Sequence, residues 1–180
     1  MTEDKIFREI EKLRDPKRLA FLEAHRVIPL SLEGISPETV LDIGTGSGIF
    51  AEAFVRKGLQ VTGLDIQEGM LEAARRFVPQ AVFRHASAEE LPFPDRSFDL
   101  VFMGLVLHES ENPPRSFGEA ARVCRLRLAV LEWPYQTGNW GPPLHHRIPE
   151  ERIRELADQA GFSRVSIHPL TYLVLYLMDG

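Results

Sequence analysis

Val40-Leu41-Asp42-Ile43-Gly44-Thr45-Gly46-Ser47-Gly48, followed one helix length later by Val61-Thr62-Gly63-Leu64-Asp65, is the stretch from which the rest of the chain can be read. Residues 40–43 are aliphatic or β-branched around one acid, and they deliver the backbone into a turn with three alternate glycines. Residues 49–57, Ile-Phe-Ala-Glu-Ala-Phe-Val-Arg-Lys, carry apolar side chains at helical spacing. Glycine serves where the backbone needs positive φ or where something must press against bare main chain. Strand, glycine turn, helix and a second strand ending in an acid make a nucleotide-binding βαβ unit. Its acid, Asp65, is placed to accept hydrogen bonds from two ribose hydroxyls.

The third glycine separates two classes that share this architecture. The dinucleotide fingerprint G-x-G-x-x-G sets its last glycine inside the helix, so that helix and strand pack closely. Here that position is Ile49, and the glycines are Gly44, Gly46 and Gly48. G-x-G-x-G after an acidic strand residue resembles motif I of the class I S-adenosylmethionine-dependent methyltransferases. Residues 86–108, Ala-Ser-Ala-Glu-Glu-Leu-Pro-Phe-Pro-Asp-Arg-Ser-Phe-Asp-Leu-Val-Phe-Met-Gly-Leu-Val-Leu-His, look like the next two motifs in order and spacing. Residues 119–125 and 128–133 resemble the helix and fifth strand of the small-molecule, type 11-like branch. The similarity runs from about residue 39 to residue 133 and continues more weakly to the C-terminal strands.

The resemblance implies S-adenosylmethionine as cofactor, and it implies a site residue by residue. Gly44, Thr45, Gly46 and Gly48 offer backbone groups to the amino-acid head, at the carboxyl ends of the strands where open α/β sheets bind ligands. Asp42 matches the acid that orients the amino group, and a carboxylate there is costly to bury without a polar partner. Asp65 takes the ribose and is also suited to capping helix 67–77. Ile66 matches the apolar residue on the adenine face, with ordinary core packing as its alternative. Ser87 and Ala88 stand where the family often has Asp-Ala, so a carboxylate contact to the exocyclic amine is missing. Met103, at the end of the fourth strand, completes the cofactor set. A second departure is the absence of the family's Pro-Gly turn between Arg125 and Leu128, which implies a shortened connection away from the site.

Methyl transfer from a sulfonium is an in-line displacement that chiefly needs positioning and a desolvated nucleophile. His108 and Glu109 follow the fourth strand, and His108 is the expected catalytic residue, able to take a proton from an oxygen, nitrogen or thiol nucleophile. The alternative is a polar residue at a helix start. Residues 133–147 hold Tyr135, Trp140, His145 and His146 among prolines and glycines, and read as a substrate lid. His145-His146 is a poor metal site, since adjacent residues diverge and no cysteine or carboxylate completes the set. The reading is therefore methyl transfer to a small-molecule acceptor with no metal. Its alternatives are a non-catalytic S-adenosylmethionine-binding protein, which Ser87 leaves open, and a nicotinamide-dependent oxidoreductase, which Ile49 disfavours.

At 180 residues the chain is one domain, able to bury roughly two-thirds of the surface of its unfolded form. A net charge of −5 argues against nucleic acid, which needs a concentrated basic face. Cys124 is the single cysteine, so no internal disulfide forms and a reducing, cytoplasmic location fits. No apolar run reaches membrane-spanning length. A homo-oligomer is left open.

The expected architecture is an α/β, Rossmann-like, doubly wound seven-stranded sheet, mostly parallel with its last strand antiparallel, under an N-terminal helical cap. Residues 1–37 form the cap, residues 39–133 the cofactor-binding core, residues 134–148 the substrate loop, and residues 149–180 a helix and β-hairpin. In the cap, Ile6, Phe7, Ile10 and Leu13 mark a first helix. Asp15-Pro16 starts a second that runs until Pro29, with residues 31–37 as connector. Strands are expected at 40–43, 60–64, 81–84, 100–103 and 128–132, then 163–168 and 172–178 as an antiparallel hairpin. Helices are expected at 48–57, 67–77, 113–125, with Cys124 on its apolar side, and 150–160.

Overall fold

Five aliphatic runs become parallel strands in a computed structural model that describes residue 10 and residues 12–180. They are β1 (Thr39–Ile43), β2 (Gln60–Asp65), β3 (Val82–His85), β4 (Phe98–Gly104) and β5 (Cys124–Glu132). A terminal hairpin, β6 (Arg164–Pro169) and β7 (Val174–Asp179), completes a seven-stranded sheet in the order β3-β2-β1-β4-β5-β7-β6. Only β7 runs against its neighbours. The order reverses between β1 and β4, which places the topological switch point beside the glycine turn.

The helices are α1 (Pro16–Leu22), α2 (Ala24–Leu32), α3 (Ile49–Val55), α4 (Glu68–Phe77), α5 (Pro113–Val123) and α6 (Glu150–Gln159). They cover both faces. Phe117, Ile153 and Leu156 of α5 and α6 pack with Leu41, Val101 and Leu128 on one side. Val27, Phe50, Phe54 and Leu71 of α2, α3 and α4 pack with Val40, Phe102 and Ala129 on the other. A strand buried on both faces has no use for alternation, which is why β1 and β4 read as continuous apolar runs.

Of the first cap helix, Ile6 and Phe7 lie outside the described residues. The second does not run unbroken. Asp15 accepts from the Lys17 amide at its start, but the chain turns left-handed at Glu23, with φ of 46°. The reason is tertiary: the buried Glu23 carboxylate accepts from the Thr171 amide at 2.8 Å and its hydroxyl at 3.0 Å, holding the β6–β7 turn. Pro29 then lies inside α2 rather than ending it, because the carbonyl that loses its partner belongs to the exposed His25. At the other end of the core, α5 stops at Val123 and β5 begins at once with Cys124. Cys124 is a buried strand residue, not a helical one, and the missing Pro-Gly turn is replaced by no loop at all. Register slips by one residue there, with Phe98 opposite Cys124 and Leu100 opposite Arg127.

The amino ends of β1 and β4 are locked by Asp99. Its carboxylate accepts from the Glu38 and Thr39 amides and the Thr39 hydroxyl at 2.9–3.1 Å, and pairs with Arg125. Burial opposes its charge, yet those hydrogen bonds hold the carboxyl down to about 2.

Candidate functional site

At the end of β1 the backbone turns over Gly44 and Gly46, both at positive φ. A side chain at Gly44 would meet Val106 at 2.5 Å, so only glycine lets the segment after β4 lie against this turn. At Gly46 a Cβ would meet nothing within 4 Å, but its φ of 54° would strain any side chain placed there. Asp42 lies beneath the turn, 1% exposed, accepting from the Thr45 hydroxyl at 2.7 Å. Burial pushes its carboxyl up to about 7, the Thr45 hydrogen bond restrains the rise, and the charge of Asp65 adds to it.

Asp65 closes β2 with both oxygens engaged. One accepts from the Gly46 amide and the other from the Gln67 amide, each at 2.9 Å. A carboxylate offers about four acceptor positions, so two remain for a ligand. Beside it Ile66 is 63% exposed, an apolar side chain facing outward on a wall where a flat ring could lie. A cleft of about 390 Å³ opens here, lined by Gly44, Asp65, Ile66, Ser87, Ala88 and Val106, with Glu109 and Glu111 at its far side. The Ser87 hydroxyl accepts from the Glu89 amide, and Glu89 in turn binds Ser110 and the Asn112 amide, tying the cleft's two walls together.

Five expected cofactor residues thus line one cleft: Gly44, Asp65, Ile66, Ser87 and Ala88. Asp42, Thr45 and Gly48 support the turn from below or behind. Met103 is fully buried in the core among Leu41, Val101 and Val130 and does not line the cleft.

His108 follows β4, outside the lining of the cleft. It sits on a single 3-10 turn, Leu107–Glu109, and lines a second pocket of about 350 Å³ with His145, His146, Pro149 and Arg152. Its Nδ1 lies 2.7 Å from Glu132 Oε2, and its own amide donates to Glu132 Oε1 at 3.1 Å. Glu132, the last residue of β5 and 1% exposed, also accepts from the Trp133 amide. Burial disfavours the imidazolium, but the hydrogen bond and charge of Glu132 outweigh it, so His108 titrates above the ordinary histidine value. Glu132 is the functional residue that sequence reading missed. An acid at a strand end is the only local signal for it.

Residues 133–147, the segment read as a substrate lid, fold around Arg147. Arg147 is buried and donates to the carbonyls of Pro134, Gln136, Trp140 and Pro142, at 2.5–3.0 Å. Its guanidinium lies over the Trp133 ring, on which Gly141 also presses. Phe21 of α1 packs against Trp133 and against Tyr172, which docks the cap on this loop. Tyr135 and Trp140 stay exposed. No cluster of three or more potential metal ligands occurs among the described residues, and none of their helices is long and apolar enough to cross a membrane.

Comparison with known proteins agrees with this geometry. Residues 41–127 match the family described as methyltransferase domain. A demethylmenaquinone methyltransferase of Renibacterium salmoninarum is 32% identical over 152 residues, 83% of this chain and 62% of that one. Another from Thermotoga maritima is 39% identical over 111 residues, 59% of this chain and 48% of its own. The chain thus spans about half to three-fifths of the length of these two relatives. The crystal structure of a SAM-dependent methyltransferase from Aquifex aeolicus superposes with a TM-score of 0.81 at 27% identity, covering 97% of this chain and 98% of that one. The chain is thus similar, in sequence over residues 41–127 and in fold over nearly its whole length, to S-adenosylmethionine-dependent methyltransferases.

Proposed function

We propose that the chain transfers the methyl group of S-adenosylmethionine to a small-molecule acceptor in the cytoplasm, with His108 as its catalytic base. The observation that carries the reading is the cleft at the switch point, where the glycine turn, Asp65 and exposed Ile66 converge. The residues present fit the cofactor. Asp65 keeps acceptor capacity for a ribose diol, Ile66 offers its face to the adenine, and the space beside Gly46 is open. When bound, the cofactor supplies a methyl carbon activated by a sulfonium. The protein's part is to hold the acceptor in line, exclude water and move a proton.

On this reading residues 39–133 hold the cofactor, residues 1–37 and 134–148 close over the acceptor, and residues 149–180 complete the sheet. An acceptor of the kind carried by the demethylmenaquinone-methylating relatives is the first to try. Calorimetry of the protein with S-adenosylmethionine and with NADH separates methyltransferase from oxidoreductase: affinity for NADH alone sinks the reading. Radiolabelled methyl transfer into a cell extract then separates an enzyme from a binding protein. Once an acceptor is in hand, His108→Ala should lower kcat about a hundredfold with cofactor affinity unchanged. Unaltered turnover would leave His108 a structural residue.

A further inference from the structure

Two hollows flank the Leu107–Glu109 turn, and their linings differ in sign. The cleft beside Asp65 has Glu109 and Glu111 on its outer wall. The second pocket is lined by His108, His145, His146, Arg147 and Arg152, with no acidic side chain in its lining. We propose that this second pocket is the acceptor site, and that it takes a small molecule presenting an acidic hydroxyl, a phenol or an enol, to His108 as positioned by Glu132. The proposal rests on the methyltransferase reading given above.

The orientation of His108 is the first support. Its Nδ1 is committed to Glu132, which leaves Nε2 as the nitrogen available to a substrate. His108 is among the residues that line the second pocket and is absent from those that line the cleft, so the second pocket is the side from which an acceptor meets it. Glu109 stands 3.8 Å from Nε2, beyond hydrogen-bond distance, on a side chain that is largely exposed and free to turn away. Glu132 has no such freedom. Buried and held by three donors, it fixes the tautomer and plane of the ring and compensates the imidazolium once formed. Glu132 acts through His108 and is a positioning residue.

The pocket wall supplies the second support. Arg147 meets only carbonyl oxygens in its hydrogen bonds, so its charge is fixed in place without a carboxylate to cancel it. On α6, Arg152 pairs with Glu155 and Glu150 with Arg154, while Glu151 is exposed and is not among the residues that line the pocket. His145 and His146, edge to face at 4.4 Å, add hydrogen-bond donors on the loop side. A wall of N–H donors stabilises an oxygen anion as it develops.

These features choose among acceptor classes. A carboxylate arrives ionised and has no use for a base, and an ammonium would have to enter a pocket whose charged side chains are cationic. A hydroxyl becomes an effective nucleophile only as its proton departs. The hydroxyl proton passes to His108 Nε2. The electron pair left on oxygen, or conjugated to the adjacent carbon, forms the new bond to the methyl carbon as the carbon–sulfur bond breaks. The imidazolium then returns its proton to solvent.

The test uses para-nitrophenol, whose phenolate is visible in absorption, with the whole protein saturated in S-adenosylhomocysteine. The bound probe should ionise about tenfold more readily than the free one, one unit lower in pH. The double variant His145→Ala/Arg152→Ala should weaken phenolate binding about tenfold and leave S-adenosylhomocysteine affinity unchanged. By nuclear magnetic resonance, Glu132→Gln should move the His108 titration to lower pH. Should that variant fail to fold, His108→Asn, which keeps a donor toward Glu132, should abolish the probe's altered ionisation. Probe binding that survives the double variant, or that competes with S-adenosylhomocysteine, overturns the pocket. An unmoved His108 titration overturns the role of Glu132. Absence of S-adenosylhomocysteine binding is a separate result that overturns the methyltransferase reading itself.

Discussion

Asp65 illustrates how one side chain can serve as scaffold and keep capacity for a ligand. Its carboxylate already holds the Gly46 and Gln67 amides, so removing it loosens the turn as well as the proposed ribose contact. Asp65→Ala should therefore weaken S-adenosylmethionine by at least about tenfold, and Asp65→Asn, which still accepts one of those bonds, by less. Full affinity in the alanine variant by calorimetry would mean the ribose lies elsewhere. Asp42 carries the opposite compromise. Its folded value, about 7, lies above that of the unfolded carboxyl, so the native state holds a proton that the unfolded chain has released. Its stabilising contribution is intact at acid pH and is lost as pH rises toward 7. Asp42→Asn should melt higher than the wild type at pH above 7 while binding S-adenosylmethionine more weakly; a lower melting point there would contradict the burial argument. Asp42, Gly44 and Asp65 were legible in the sequence because strand, turn and acid follow one another within a single βαβ unit. Glu132 was not, because it meets His108 only through the pairing of β4 with β5, across 24 residues of chain.

The elements themselves were read well where burial alone decides them, and less well where one buried polar group overrides local preference. Helical spacing runs straight through Glu23, yet that carboxylate turns inward to Thr171 and the helix divides. Nothing near residue 23 announces a partner 148 positions away. Asp99 is a similar long-range tie, and a measurable one. With its carboxyl held down to about 2, its stabilisation is complete above the unfolded carboxyl's value and disappears as pH falls from about 4 toward 2. Asp99→Asn should lose on the order of 2 kcal/mol at neutral pH and show a flatter acid limb in chemical denaturation. Equal acid sensitivity in both proteins would place the tie elsewhere. The loop following β5 gives a third case. Tyr135 and Trp140 are exposed, so replacing both by alanine should raise the acceptor KM and leave the melting temperature nearly unchanged. Arg147→Ala should instead open residues 134–146 to proteolysis, since four carbonyls lose their donor together. Unchanged cleavage would show that the Trp133 contacts suffice.

At the scale of the molecule, two of the ties between cap and sheet lie at separated places. Phe21 packs on Trp133 and Tyr172 above the β5 end of the sheet. Arg14 reaches the glycine turn itself, donating to the Ser47 carbonyl, pairing with Glu52 and lying over Phe77. The cap therefore touches both the turn beside the cleft and the Trp133 ring under Arg147, and Arg14→Ala should weaken S-adenosylmethionine binding without altering the sheet. Retained affinity would make the contact one of stability alone. The loop stapled by Arg147 has a different kind of consequence. All four of its partners are main-chain oxygens, which every residue type possesses. The shape of the loop is thus nearly indifferent to which side chains it displays, provided Arg147 and the Gly141 that lies against Trp133 are kept. Such a segment can exchange its outward residues by single mutations with little risk to folding, so new acceptors are open to it by gradual drift rather than by rebuilding. A library varied at residues 135–139 and 144–146 should yield mostly folded proteins with divergent acceptor preferences, whereas the same diversity imposed on the glycine turn should yield mostly inactive ones.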